Sequence, residues 1–108
     1  DRRAHFFLEI DRGTLALKRF KTKVKAYLEY TRSGMYQRRY QTRSLRVLTV
    51  TTGDERLRNL LRTTESAGGN GLFWFSTFRQ ATAEGILTDP VWQLAGEEGV
   101  RCLLADQG

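Results

Sequence analysis

The sequence predicts an α/β fold, a mixed or parallel sheet flanked by helices. Three observations carry that prediction. His5–Asp11 (HFFLEID) alternates faces as a strand does, the following stretch repeats apolar residues at helical spacing, and Leu45–Thr51 (LRVLTVT) is rich in β-branched residues. Strands joined through helices cross over right-handedly and pair in parallel.

In the first strand Phe6, Leu8 and Ile10 point one way and Phe7, Glu9 and Asp11 the other. Arg12-Gly13-Thr14 breaks it: Gly13 is free to take a positive φ, and Thr14 is the expected N-cap of a helix over Leu15 to about Tyr30. Leu17, Phe20, Val24, Tyr27 and Leu28 form the apolar stripe of that helix. Arg32–Arg43 (RSGMYQRRYQTR) is a basic connection interleaved with aromatic rings, and Leu45–Thr51 is a second, largely buried strand. Gly53-Asp54 opens another helix near Glu55–Ser66, with Leu57, Leu60 and Leu61 inward. Gly68-Gly69-Asn70-Gly71 is a turn, and Leu72–Phe78 (LFWFSTF) a third, aromatic strand. Ala81–Gly85 reads as one helical turn, Asp89-Pro90 as a turn, and Val91–Leu94 and Val100–Leu104 as short strands.

A chain of 108 residues allows one domain, taken here as 1–108. With 28% charged residues and 40% hydrophobic ones, it reads as globular rather than disordered or membrane-spanning. The formal net charge is +6, unevenly spread. Residues 1–46 hold 13 Lys/Arg against 4 Asp/Glu, and residues 47–108 hold 5 against 8. Such a basic half favours nucleic acid, an anionic membrane surface or an acidic protein as partner. A lone Cys102 cannot form an internal disulfide, nor can it make a zinc site with the lone His5. The absence of a long apolar run or signal peptide points to the cytoplasm. A start at Asp1 rather than Met suggests a piece of a longer protein. Trp74, Trp92, Phe73, Phe75 and Phe78 read as core packing, and Cys102 as a small buried apolar residue.

Glu9 and Asp11 are the sharpest chemical feature. Two positions apart on one strand, their side chains share a face at a spacing of about 6.5–7 Å. They lie at the strand's carboxyl end, where ligands gather in open α/β sheets. A carboxylate pair there suits Mg²⁺ or Mn²⁺, which would activate water and stabilise charge on a transferring phosphate. The competing reading has Asp11 capping the turn and Glu9 pairing with a nearby Arg or Lys.

On the following helix Lys18, Lys21 and Lys25 share one flank, with Arg19 and Lys23 further round. Lys18 and Lys21 are placed to reach back to a phosphate or a metal-bound water. The alternative is a solvated face with a Lys25–Glu29 pair. In the connection, Arg32, Arg38, Arg39 and Arg43 suit phosphates, while Tyr36 and Tyr40 offer rings for unstacked bases or pack the segment onto the domain. A tyrosine-dependent nicking site is disfavoured, because it needs metal-binding histidines and the chain has only His5.

FFLEIDRGT, the Lys-rich helix ending KAYLEY, RVLTVTT, LFWFSTF and the late DPVW together resemble the replication-relaxation family, from about His5 to Trp92. These are proteins of plasmids and other mobile elements, implicated in plasmid replication and DNA relaxation. The resemblance implies an upstream winged-helix segment and, in this chain, a C-terminal portion with a restriction-endonuclease-like PD-(D/E)xK layout. Glu9 would then be the strand carboxylate and metal ligand. Asp11 stands where that motif has Lys, so Lys18 or Lys21 would supply the cation, and the motif's upstream Asp has no counterpart here.

The leading expectation is therefore a DNA-processing protein of a mobile element. Glu9 and Asp11 would contribute to a Mg²⁺ or Mn²⁺ site, assisted catalytically by Lys18 and Lys21. Arg12, Lys18, Lys21, Lys25, Arg38, Arg39 and Arg43 would contact DNA, with Lys18, Lys21, Arg38 and Arg39 flanking the mouth where the acids emerge. The alternative is a non-catalytic DNA- or protein-binding module on a nuclease-like scaffold. A protein-only reading, with a homodimer, places Leu72–Phe78 on the dimer edge.

Overall fold

A computed structural model describes residues 5–34 and 45–104. Tyr36, Arg38, Arg39, Tyr40 and Arg43 lie outside the described residues. The elements run β1 (His5–Ile10), α1 (Leu17–Ser33), β2 (Leu45–Thr51), α2 (Asp54–Ser66), β3 (Phe73–Thr77) and β4 (Gln93–Leu94). The strands form one sheet in the order β1-β2-β3-β4. The first three are parallel and β4 is antiparallel to β3. The expected α/β class with a mixed sheet is what the chain adopts.

Two consecutive crossovers that step the same way across a sheet leave both helices on one face. There Phe20 and Val24 of α1, Leu57 and Leu60 of α2, and Val47, Phe73 and Phe75 of the sheet make the main core. The Phe20 and Phe75 rings meet at 6.2 Å. Burying such side chains is worth about 1.5–3 kcal/mol each, so this face dominates stability. On the opposite face the chain after β3 folds back over β2–β4, enclosing Leu48, Val50, Trp74, Trp92, Leu94 and Leu103. Arg46 stacks 4.6 Å from the Trp74 ring centroid and donates to the Leu103 carbonyl, tying that cover down. The cover leaves the outward row of β1 open: Phe6, Leu8 and Ile10 are 37%, 57% and 49% exposed.

Several expectations need correction. Thr14 is not the N-cap of α1; Ala16 holds that position, no side chain caps it, and the helix starts at Leu17. It also runs one turn beyond Tyr30, until Gly34 closes it at φ 77°. β3 is not an edge: every residue from Phe73 to Thr77 is buried and the strand lies between β2 and β4, so Leu72–Phe78 is not the sheet edge that the dimer reading placed there. β2 pairs along Phe73–Thr77 on one side, and β4 pairs with Trp74 and Phe75 on the other. Phe78, expected in the core, falls just past the strand and is exposed, and Cys102 is only partly buried. The Ala81–Gly85 stretch makes an α-type turn, with Ile86 N–H on the Thr82 carbonyl, without becoming a helix.

Candidate functional site

The parallel sheet brings the ends of β1 and β2 and the start of α2 to one edge, and the Asp11 carboxylate lies there, buried. Arg56, in the first turns of α2, donates from Nε and Nη2 to its two oxygens at 2.9 and 3.0 Å. Thr51, the last residue of β2, donates its hydroxyl to Oδ2 at 2.5 Å. Arg56 Nη2 also donates to the Leu15 carbonyl at 2.7 Å, fixing the loop that leads into α1. Burial alone would raise the Asp11 pKa. The hydrogen bonds from Arg56 and Thr51 and the Arg56 charge outweigh it and hold the carboxyl below its ordinary value, helped by the Gly13 amide. The same bonds raise Arg56.

Glu9 faces α1, as the alternation requires. Lys23 donates to its Oε1 at 3.0 Å and the Tyr27 hydroxyl to its Oε2 at 2.5 Å. Burial and then the Glu9 hydrogen bond and charge push the Tyr27 hydroxyl well above the ordinary tyrosine range. A cleft of about 250 Å³ opens at this end of β1, lined by both acids together with Arg12, Thr14, Phe20 and Lys23.

Glu9 and Asp11 thus share a cleft as the sequence implied, but the cations around them differ from those expected. Lys23 and Arg12 line the cleft, and neither Lys18 nor Lys21 does. At about 100° per residue the β1 flank of α1, marked by Lys23 and Tyr27, lies roughly 150° or more from the flank of Lys18, Lys21 and Lys25. These three point away from β1, so they do not flank the acids. Glu29 pairs with Arg32 at 3.0 Å rather than with Lys25. Among the described residues no ion pair engages Lys18, Arg19, Lys21 or Lys25.

A divalent cation fits this arrangement poorly. Every carboxylate oxygen of the pair already accepts a hydrogen bond: Glu9 Oε1 from Lys23 and Oε2 from Tyr27, Asp11 Oδ1 from Arg56 and Oδ2 from Arg56 and Thr51. A metal would have to displace cationic partners that already neutralise both acids. Among the described residues, no group of three or more His, Cys, Asp or Glu converges as a metal site.

Arg56 is the site residue that sequence reasoning missed. Its signal was topological: in a parallel sheet the residues ending β1 and β2 share an edge with the first turn of the helix after β2. Lys23 takes the place expected of Lys18 and Lys21, and Tyr27 does more than fill the apolar stripe.

The family model described as replication-relaxation matches residues 1–45, less than half of the chain. No curated protein and no solved structure matches it. The matched stretch holds β1, α1 and the two acids, and it coincides with the basic half of the sequence. No helix among the described residues is long and apolar enough to cross a membrane.

Proposed function

We propose that this domain is a DNA-engaging module of a replication-relaxation protein, serving replication or relaxation of a plasmid or other mobile element. The observation that carries the reading is the Lys18, Lys21 and Lys25 flank of α1. It is exposed or partly exposed, free of ion pairs among the described residues, and turned away from the acids that would neutralise it. Cations free of protein partners are available to phosphates, and each phosphate neutralised releases counterions. Support also comes from the family match, which spans this helix and runs into the connection bearing Arg38, Arg39 and Arg43.

Both acids hold the fold together, so the binding-module reading is preferred to a metal-dependent nuclease, and no catalytic step is assigned. The test is duplex DNA affinity measured over a range of salt concentrations. Replacing Lys18, Lys21 and Lys25 together by Gln should weaken binding uniformly across sequences. It should also flatten the salt slope by about 0.9 for each phosphate no longer neutralised. An unchanged slope removes α1 from the interface.

A further inference from the structure

The face of the sheet opposite the helices has an open strip. There β1 sets Phe6, Leu8 and Ile10 beside Arg46, Leu48 and Val50 of β2, residue against residue. Leu48 and Val50 are each 5% exposed, sealed under the segment after β3, while their neighbours on β1 are 37%, 57% and 49% exposed. Arg46 is drawn the other way, over the Trp74 ring and onto the Leu103 carbonyl, and the strip stays open. Water therefore meets three large apolar side chains in a line. Contiguous exposed apolar surface of this kind marks interaction sites on soluble chains.

The strip itself is uncharged. Glu9, the acid within β1, points to the helix face, where Lys23 and Tyr27 hold it. Phosphates find nothing to bind here. A strand at the end of a sheet that is to stay single usually carries an outward Lys, a Pro or a bulge. None of these interrupts His5–Ile10, whose register with β2 is continuous. Charge favours a second copy of the chain as occupant. At a net charge of +6, two copies repel wherever their basic surfaces meet. The Lys18, Lys21 and Lys25 flank belongs to α1, which packs on the other face of the sheet. Contact through the strip keeps the two basic flanks apart, with both sheets between them.

Shape favours the same occupant. The segment after β3 stands as a step above β2–β4 and leaves β1 as a shelf. A two-fold axis running along the strand lays shelf on shelf at the roughly 10 Å spacing of packed sheets, with each step beside the other copy's β1. An axis across the strands would set step upon step and hold the shelves apart. We propose that the outward row of β1 is a homodimer contact, in which Phe6, Leu8 and Ile10 each face their own copies. The contact is independent of the DNA-binding reading. A patch of roughly 300–600 Å² on each copy buries at most about 1,200 Å² in total, the class of weak, reversible association.

Sedimentation equilibrium of the 108-residue chain, between about 1 µM and about 1 mM, tests the contact. The expected result is a reversible monomer–dimer equilibrium. Leu8→Glu, at the central and most exposed position of the row, should raise the dissociation constant at least about tenfold, because like charges then face each other across the axis. Circular dichroism checks that the variant folds; if it does not, Leu8→Thr, a good strand former, should weaken the dimer from the same position. Phe78→Glu changes another exposed apolar residue, just past β3, and should leave the constant unchanged. A chain that stays monomeric over the whole range overturns the contact. So does a dimer as tight in Leu8→Glu as in the parent, or one that Phe78→Glu weakens equally.

Discussion

Arg56 grips both oxygens of Asp11 across 45 residues of sequence, with Thr51 closing on the same carboxylate. The side chains are 16% and 5% exposed. β1, the loop into α1, the end of β2 and the start of α2 therefore meet on one charge pair. Being bidentate and desolvated, it differs from the exposed Arg32–Glu29 contact, of a kind typically worth no more than about 1 kcal/mol.

Removing one partner leaves the other charged and buried. Arg56→Ala and Asp11→Ala should each cost about 3–5 kcal/mol, read as a lower urea midpoint with an unchanged slope. In a double-mutant cycle the two losses should fall well short of additivity. Additive losses would show that the two side chains act separately.

The pair also sets an acid limit. Asp11 titrates below the ordinary aspartate value of 3.8, so the native chain holds this proton less tightly than the unfolded one. Its contribution is complete above that ordinary value and drains away as pH falls through the lower native value. Thermal melts stepped through this acid range should show stability falling, and Asp11→Asn should flatten that part of the profile. An identical acid profile in Asp11→Asn would place the acid sensitivity on other carboxylates.

β2 was legible to the residue, because LRVLTVT has a single reading as a buried strand, and the alternation of β1 correctly placed Glu9 and Asp11 on one face. The start of α1 was not, because Thr14 has the chemistry of a cap, while the turn that leads into the helix extends two residues further to Ala16. Helical spacing separated Lys23 from Lys18, Lys21 and Lys25. It could not say which flank would lie against β1, since that depends on where α2 packs. Arg56 was invisible to local pattern, its partner being 45 positions away.

Divalent ions provide a direct check on the acids. With Lys23, Tyr27, Arg56 and Thr51 in place, calorimetric titration with Mn²⁺ should give no saturable heat, and Mg²⁺ should not raise the melting temperature. A saturable isotherm abolished by Glu9→Ala would return Glu9 to metal chemistry.

Tyr27 fixes the opposite end of the pH range. Its hydroxyl gives Glu9 a hydrogen bond at 2.5 Å, and its pKa is raised above the ordinary 10.0 by burial and by that acid. A raised native pKa contributes stability that is intact below the unfolded value and is lost as pH climbs from there through the native one. Tyr27→Phe keeps the ring packed against Phe7 and Phe73 while deleting the bond to a charged acceptor. It should cost about 1.5–3 kcal/mol near neutrality. Above the ordinary tyrosine value of 10.0 the gap between parent and variant should narrow, because unfolding of the parent then releases a proton, which alkali favours, while phenylalanine has none to release. A gap that stays constant into alkali would mean that the hydroxyl titrates alike in the folded and unfolded chain, and no gap near neutrality would mean that Tyr27 contributes through packing alone.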